Sequence, residues 1–110
     1  ERSGKMVLHL QKGIIPYERF VRCIGLGPQM LMVDYDPSAP LHGRYVEGRP
    51  EMDASLRQQM EDITMTINSF FCWDFNSCEA LLKEQIWYPI DYANPCPDSQ
   101  VTSLHYHFPW

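Results

Sequence analysis

The chain has no apolar run approaching the roughly 20 residues of a membrane span, and no signal-peptide pattern precedes its first predicted strand. It lacks a C-x-x-C pair: Cys23, Cys72, Cys78 and Cys96 are all too far apart, which argues against a zinc knuckle or a thioredoxin-type motif. Basic residues are scarce. Nine Lys and Arg stand against fourteen Asp and Glu, a formal net charge of −5. That argues against a module that binds nucleic acid by neutralising phosphates along a basic face. It does not argue against a nucleotide, because a few carboxylates can hold magnesium and the metal in turn carries phosphates. Glycine numbers only six, and no G-x-x-x-x-G-K-[ST] loop or other glycine-rich phosphate cradle occurs. Internal repeats and low-complexity tracts are also missing.

What remains is an ordinary globular composition, 45% hydrophobic and 21% charged over 110 residues. Such a chain is a single domain (1–110) with one core, not a disordered segment. The even cysteine count permits two disulfides in a secreted protein. Three of the four lie in runs that read as strand or helix end, where a free thiol behaves as a small hydrophobe, so the reading is a cytoplasmic protein in a reducing environment.

Lys5 to Lys12 alternates Met6, Leu8 and Leu10 with Val7, His9 and Gln11 and predicts a strand. Phe20 to Gly25 predicts a second, Gly27-Pro28 a turn, and Met30 to Tyr35 a third strand paired back as a hairpin. The prolines and glycines between Asp36 and Gly48 predict a loop. Pro50 opens the one clear helix, with Glu51 and Asp53 in its first turn. Its stripe of Leu56, Met60, Ile63, Ile67 and Phe70 or Phe71 reads as core. Phe75 to Leu82 and Ile86 to Tyr92 make a second hairpin around Lys83, Glu84 and Gln85. From Asn94 the tail reads as irregular. The expected order is β-β-β-α-β-β, an α+β fold with a mixed, mainly antiparallel sheet and one principal helix.

The chemistry concentrates in Asp74-Phe75-Asn76-Ser77-Cys78-Glu79 and Tyr88-Pro89-Ile90-Asp91-Tyr92-Ala93-Asn94-Pro95. Glu79 lies several residues before the hairpin turn and Asp91 several after, so the two can meet across the pair. Adjacent carboxylates repel unless a cation sits between them, and magnesium takes oxygen ligands, to which Asn94 would add a neutral carbonyl. Acidic residues near a hairpin turn are also commonly just solvated.

These two stretches, with Pro97-Asp98 after them, resemble the metal-binding end of a branch of ATP-grasp proteins. In that branch a D-F-N-x-x-E segment precedes an I-D-F-x-N-P-x-P-D segment. Phe20 to Gly27 resembles the strand after the adenine hinge, and Tyr35-Asp36-Pro37 and Arg44-Tyr45-Val46 resemble the loop after the next strand. The matches cover most of the chain in the family's order. The resemblance implies the C-terminal part of an ATP-grasp domain, with the N-terminal and central parts absent. It implies Glu79, Asp91 and Asn94 as ligands of Mg²⁺, and Arg22 aimed at the terminal phosphate of ATP, stabilising charge during transfer. It places Gln11 against the adenine and Arg44 near phosphate or substrate. The activity implied is that of a carboxylate–amine ligase, in which a carboxylate takes the γ-phosphoryl group as an acyl phosphate and an amine then displaces phosphate.

In ATP-grasp proteins generally the carboxylate and asparagine are two residues apart, on one face of a strand. Here Asp91 and Asn94 are three apart. Either the chain bulges or turns near Ala93-Asn94-Pro95, or one of the two points elsewhere. Lys12 also follows Gln11 where the family tends to have an acidic residue. A different class of reading is a non-catalytic binding or dimerisation module of ATP-grasp-derived fold, forming a homodimer through an apolar face. His105 and His107, two apart, are a zinc pair only with a third ligand such as His9 or His42. Ser77 and Cys78 beside Glu79 lack a histidine to activate them. Trp73, Trp87 and Tyr88 serve either as base-stacking groups or as buried aromatics.

Overall fold

A computed structural model describes residues 8–40, 43–46 and 48–97. Its elements are β1 (Arg19–Leu26), β2 (Gln29–Tyr35), β3 (Tyr45–Val46), α1 (Ala54–Phe71), β4 (Phe75–Lys83) and β5 (Ile86–Pro95). The five strands form one sheet in the order β3-β2-β1-β4-β5, every pair antiparallel. The fold is α+β, as the pattern predicts, and the element order β-β-β-α-β-β recurs with different members.

The helix packs on one sheet face. Val21 and Cys23 from β1, Met32 from β2, Cys78, Ala80 and Leu82 from β4, and Trp87 from β5 meet Met52, Leu56 and Met60 there. The indole of Trp87 is buried and donates to the carbonyl of Leu56 at 2.8 Å, so this aromatic is core and unavailable to a base. Alternation sends the other residues of each strand to the opposite face. Arg22, Ile24, Ser77, Glu79 and Leu81 lie there, and no described helix covers them. No helix among the described residues is long and apolar enough to cross a membrane.

Several expectations need correction. The strand Lys5 to Lys12 does not form over residues 8–12 (5–7 lie outside the described residues): Leu8 and Leu10 are 77% and 88% exposed. Alternation alone does not make a strand. It needs an edge to accept its backbone and a layer to cover its apolar side. The stretch read as a loop from Asp36 to Gly48 contains β3, which pairs Tyr45 with Tyr35 and Val46 with Asp34. The helix begins at Ala54, not Pro50. Asp53 is its N-cap, its carboxylate accepting from the amides of Ser55 and Leu56 at 2.9 and 3.2 Å, and no acid lies in the first turn. Finally, Phe70 and Phe71 are exposed, and the buried line runs Leu56, Met60, Thr64, Asn68.

The second hairpin forms with β4 extended to Lys83. Its turn is Glu84-Gln85, both left-handed at φ 52° and 63°, the twist a two-residue connection requires. β5 continues through Asn94 to Pro95, where the sequence suggests an irregular tail; residues 98–110, with His105 and His107, lie outside the described residues.

Candidate functional site

Three strands contribute one lateral row on the face away from α1. Arg22 of β1 is the register partner of Glu79 of β4, and Glu79 is the partner of Asp91 of β5. The next row toward the β1–β2 turn sets Ile24 beside Ser77, and Ser77 beside Asn94. Directly paired residues project to the same side of a sheet. Arg22, Glu79, Asp91, Ser77 and Asn94 therefore share one polar patch.

Irregularity in β5 makes this placement work. Between the two rows β4 advances from Ser77 to Glu79 while β5 advances from Asn94 to Asp91, one residue more, and the register shifts again between Glu79 and Ala80. A bulge of one residue turns the following side chain to the other face. Of the alternatives left by the three-residue spacing, the bulge is the one realised: both Asp91 and Asn94 stand with Glu79.

The guanidinium of Arg22 is held on three sides. Its Nη1 donates to the hydroxyl of Tyr45 at 2.6 Å and its Nη2 to Ser77 Oγ at 3.2 Å. Its Nε lies 3.9 Å from Glu79 Oε1 and is buried without a hydrogen-bond partner. Arg22 as a whole is 9% exposed. A buried donor left unpaired is costly, so this nitrogen marks a place where an acceptor is wanted. Ser77 Oγ also accepts from Asn94 Nδ2 at 3.1 Å. That bond uses the amide nitrogen of Asn94 and leaves its carbonyl oxygen as the end available to a cation.

Arg44 adds a second cation. Its Nε donates to the carbonyl of Ala39 and its Nη1 to the hydroxyl of Tyr35, both at 3.2 Å, and its field reaches Glu79. Glu79 is partly buried, and burial pushes its pKa above the usual glutamate value. Arg22 and Arg44 pull it down and Asp91 pushes it further up. Asp91 is exposed at the rim.

Four of the six sequence-predicted site residues thus come together, and Arg44 stands near enough for its charge to act on Glu79. Gln11 does not join them: it is exposed in the irregular segment before β1, so no strand presents it as an adenine-lining residue. Tyr45 and Ser77 are the polar groups that sequence reasoning missed as parts of this site. Ser77 had a visible signal, two residues before Glu79 on one strand face; Tyr45 stood in the Arg44-Tyr45-Val46 segment, but only the pairing of β3 with β2 brings it to this face.

Two carboxylates and an amide carbonyl fit a hard, oxygen-loving cation such as magnesium, with other positions left to water and phosphate. No group of three or more His, Cys, Asp or Glu that could hold a metal ion occurs among the described residues, so the candidate set is two carboxylates completed by an amide. Comparison with protein-family models, with curated proteins and with solved structures returned no match, and the geometry of this face is therefore the ground on which a functional reading rests.

Proposed function

We propose that this chain supplies the magnesium- and phosphate-facing part of an ATP-dependent carboxylate–amine ligase of the ATP-grasp type, acting in the cytoplasm. One observation carries the reading: Arg22, Glu79 and Asp91 form a single row across three strands, with Asn94 one row along on the same face. Glu79, Asp91 and Asn94 would hold Mg²⁺, which supplies charge neutralisation to the phosphate oxygens of ATP. Arg22, already clamped by Tyr45 and Ser77, meets a phosphoryl oxygen with a guanidinium that needs no reorientation, and its buried Nε gains the acceptor it lacks. Transfer breaks the bond between the γ-phosphorus and the leaving ADP oxygen as a substrate carboxylate oxygen bonds to that phosphorus. The amine nitrogen then bonds to the acyl carbon, phosphate departs, and the nitrogen loses a proton. The chain's own share is orientation and electrostatics.

A non-catalytic dimerisation module would instead present an apolar face here. Ile24, Val33 and Leu81 on this face are buried, Leu26, Leu31 and Phe75 beside Ile24 are partly buried, and the centre of the face is charged, which favours the ligand-binding reading.

Calorimetric titration with MgCl₂ and with Mg-ATP tests the proposal. Glu79→Gln and Asp91→Asn are expected to weaken binding by about tenfold or more, since even residues that only support a metal ligand cost about 10–100-fold when replaced. Unchanged affinity in both variants would overturn the assignment.

A further inference from the structure

On the helix side of the sheet, directly behind the polar patch, lies a buried amide network. Asn76 of β4 is fully buried and Asn68 of α1 nearly so. Asn76 Nδ2 donates to Asn68 Oδ1 at 2.8 Å and to the backbone carbonyl of Tyr92 at 3.1 Å, and its Oδ1 accepts the backbone amide of Asn94 at 3.0 Å. The orientation is unambiguous, because a backbone amide only donates and a backbone carbonyl only accepts. Asn76 is also the register partner of Pro95, a residue with no N–H to give the ladder. One side chain therefore takes up the donor of Asn94 and the acceptor of Tyr92, two backbone groups flanking the extra residue of β5.

The network has a built-in space. Gly25 of β1 is the other register partner of Asn76, and a Cβ there would stand 2.6 Å from Asn68 Nδ2. A real Cβ does not approach that closely, so glycine leaves room for the Asn68 amide to reach Asn76.

We propose that Asn76 is a positioning residue: backed by Asn68 in the space left by Gly25, it fixes the bulge of β5 that turns both Asp91 and Asn94 onto the face of Glu79. It touches neither cation nor substrate and acts through the backbone between 92 and 94. The consequence for cation binding rests on the proposed function; the consequence for register does not.

The test uses the full 110-residue chain by NMR, with MgCl₂ as the probe, in Asn76→Ala, Gly25→Ala and Leu56→Ala. Leu56→Ala opens the core without touching the network and separates positioning from general loss of stability. In Asn76→Ala the cross-strand contact between Ser77 and Asn94 is expected to vanish. The amide of Asn94 should exchange faster relative to the amides of β1, and Mg²⁺ affinity should fall about tenfold, the scale seen for supporting residues at metal sites. Gly25→Ala, which displaces Asn68 and leaves Asn76 in place, should move all three readouts the same way and carries the test if Asn76→Ala does not fold. Leu56→Ala should keep the contact and the affinity. A Ser77–Asn94 contact that persists in Asn76→Ala, or an Asn94 amide released equally in Leu56→Ala, overturns the proposal. A native chain that takes up no Mg²⁺ counts against the functional reading alone, and the register readout still decides this one.

Discussion

Glu79 sits between groups that pull its proton affinity in opposite directions. Burial and the neighbouring Asp91 raise its pKa, Arg22 and Arg44 lower it, and the balance is upward. A carboxyl whose pKa is higher folded than unfolded favours folding fully below its unfolded value, 4.5, and loses that contribution as pH climbs through the folded one. Glu79→Gln removes the titration. The urea midpoint of the variant is therefore expected to exceed that of the native protein at pH 8, the two converging below pH 4.5; midpoints that differ by the same amount at both pH values would refute the conflict at Glu79. At this scale the sequence was partly readable. Glu79 and Asp91 flank a hairpin turn, and counting outward from the turn brings them together. Asn94 was not so readable, because its face depends on a bulge held by a side chain from another strand.

Each element owes its limits to a few local devices. Asp53 satisfies two amides at the start of α1, and Asp53→Ala is expected to cost about 1 kcal/mol, read as a shift in the denaturation midpoint with unchanged slope; a shift indistinguishable from zero would mean the cap is redundant. At the other end Cys72 turns left-handed at φ 56°, and the amides of Cys72 and Trp73 cover the carbonyls of Ser69 and Asn68. Leu56 and Met60 were visible as core from their spacing. Thr64 and Asn68 were not, since polar residues are expected outside and these are inside only because Met60 and Asn76 satisfy them. The same limit explains β3. Tyr45 and Val46 make too short a run to register as a strand, and only pairing with β2 defines them. Residues 8–12 are the converse, a good alternating pattern that no edge accepts.

Across the whole molecule, the four thiols divide by place in the two-layer architecture. Cys23 and Cys78 are register partners on the central strands beneath α1, both fully buried, and burial pushes their pKa values to about 11 and about 12. Cys72 and Cys96 are exposed. A maleimide at pH 7 is expected to label Cys72 and Cys96 at once, and the central pair only at the rate at which the sheet and helix separate. Intact-mass spectra over time would then show two additions, a plateau, and two more. Four additions in one phase would mean the layers part far more readily than this packing allows. The thiol pair and the polar patch occupy opposite faces of the same strands. A residue-by-residue reading of β4 sees only an alternation of Ser77, Cys78 and Glu79, whereas the sheet sorts it into a polar side and a sealed one.

The bulged course of β5 has a further effect. Among the described residues β5 is an outermost strand, and a long, regular outermost strand invites a second molecule to continue the sheet. Pro89, Pro95 and two breaks in register deny a newcomer the even row of amides and carbonyls it would need. The kink that gathers Asp91 and Asn94 thus also guards against self-association, and a β5 ironed straight would part those two side chains and lose its protection together.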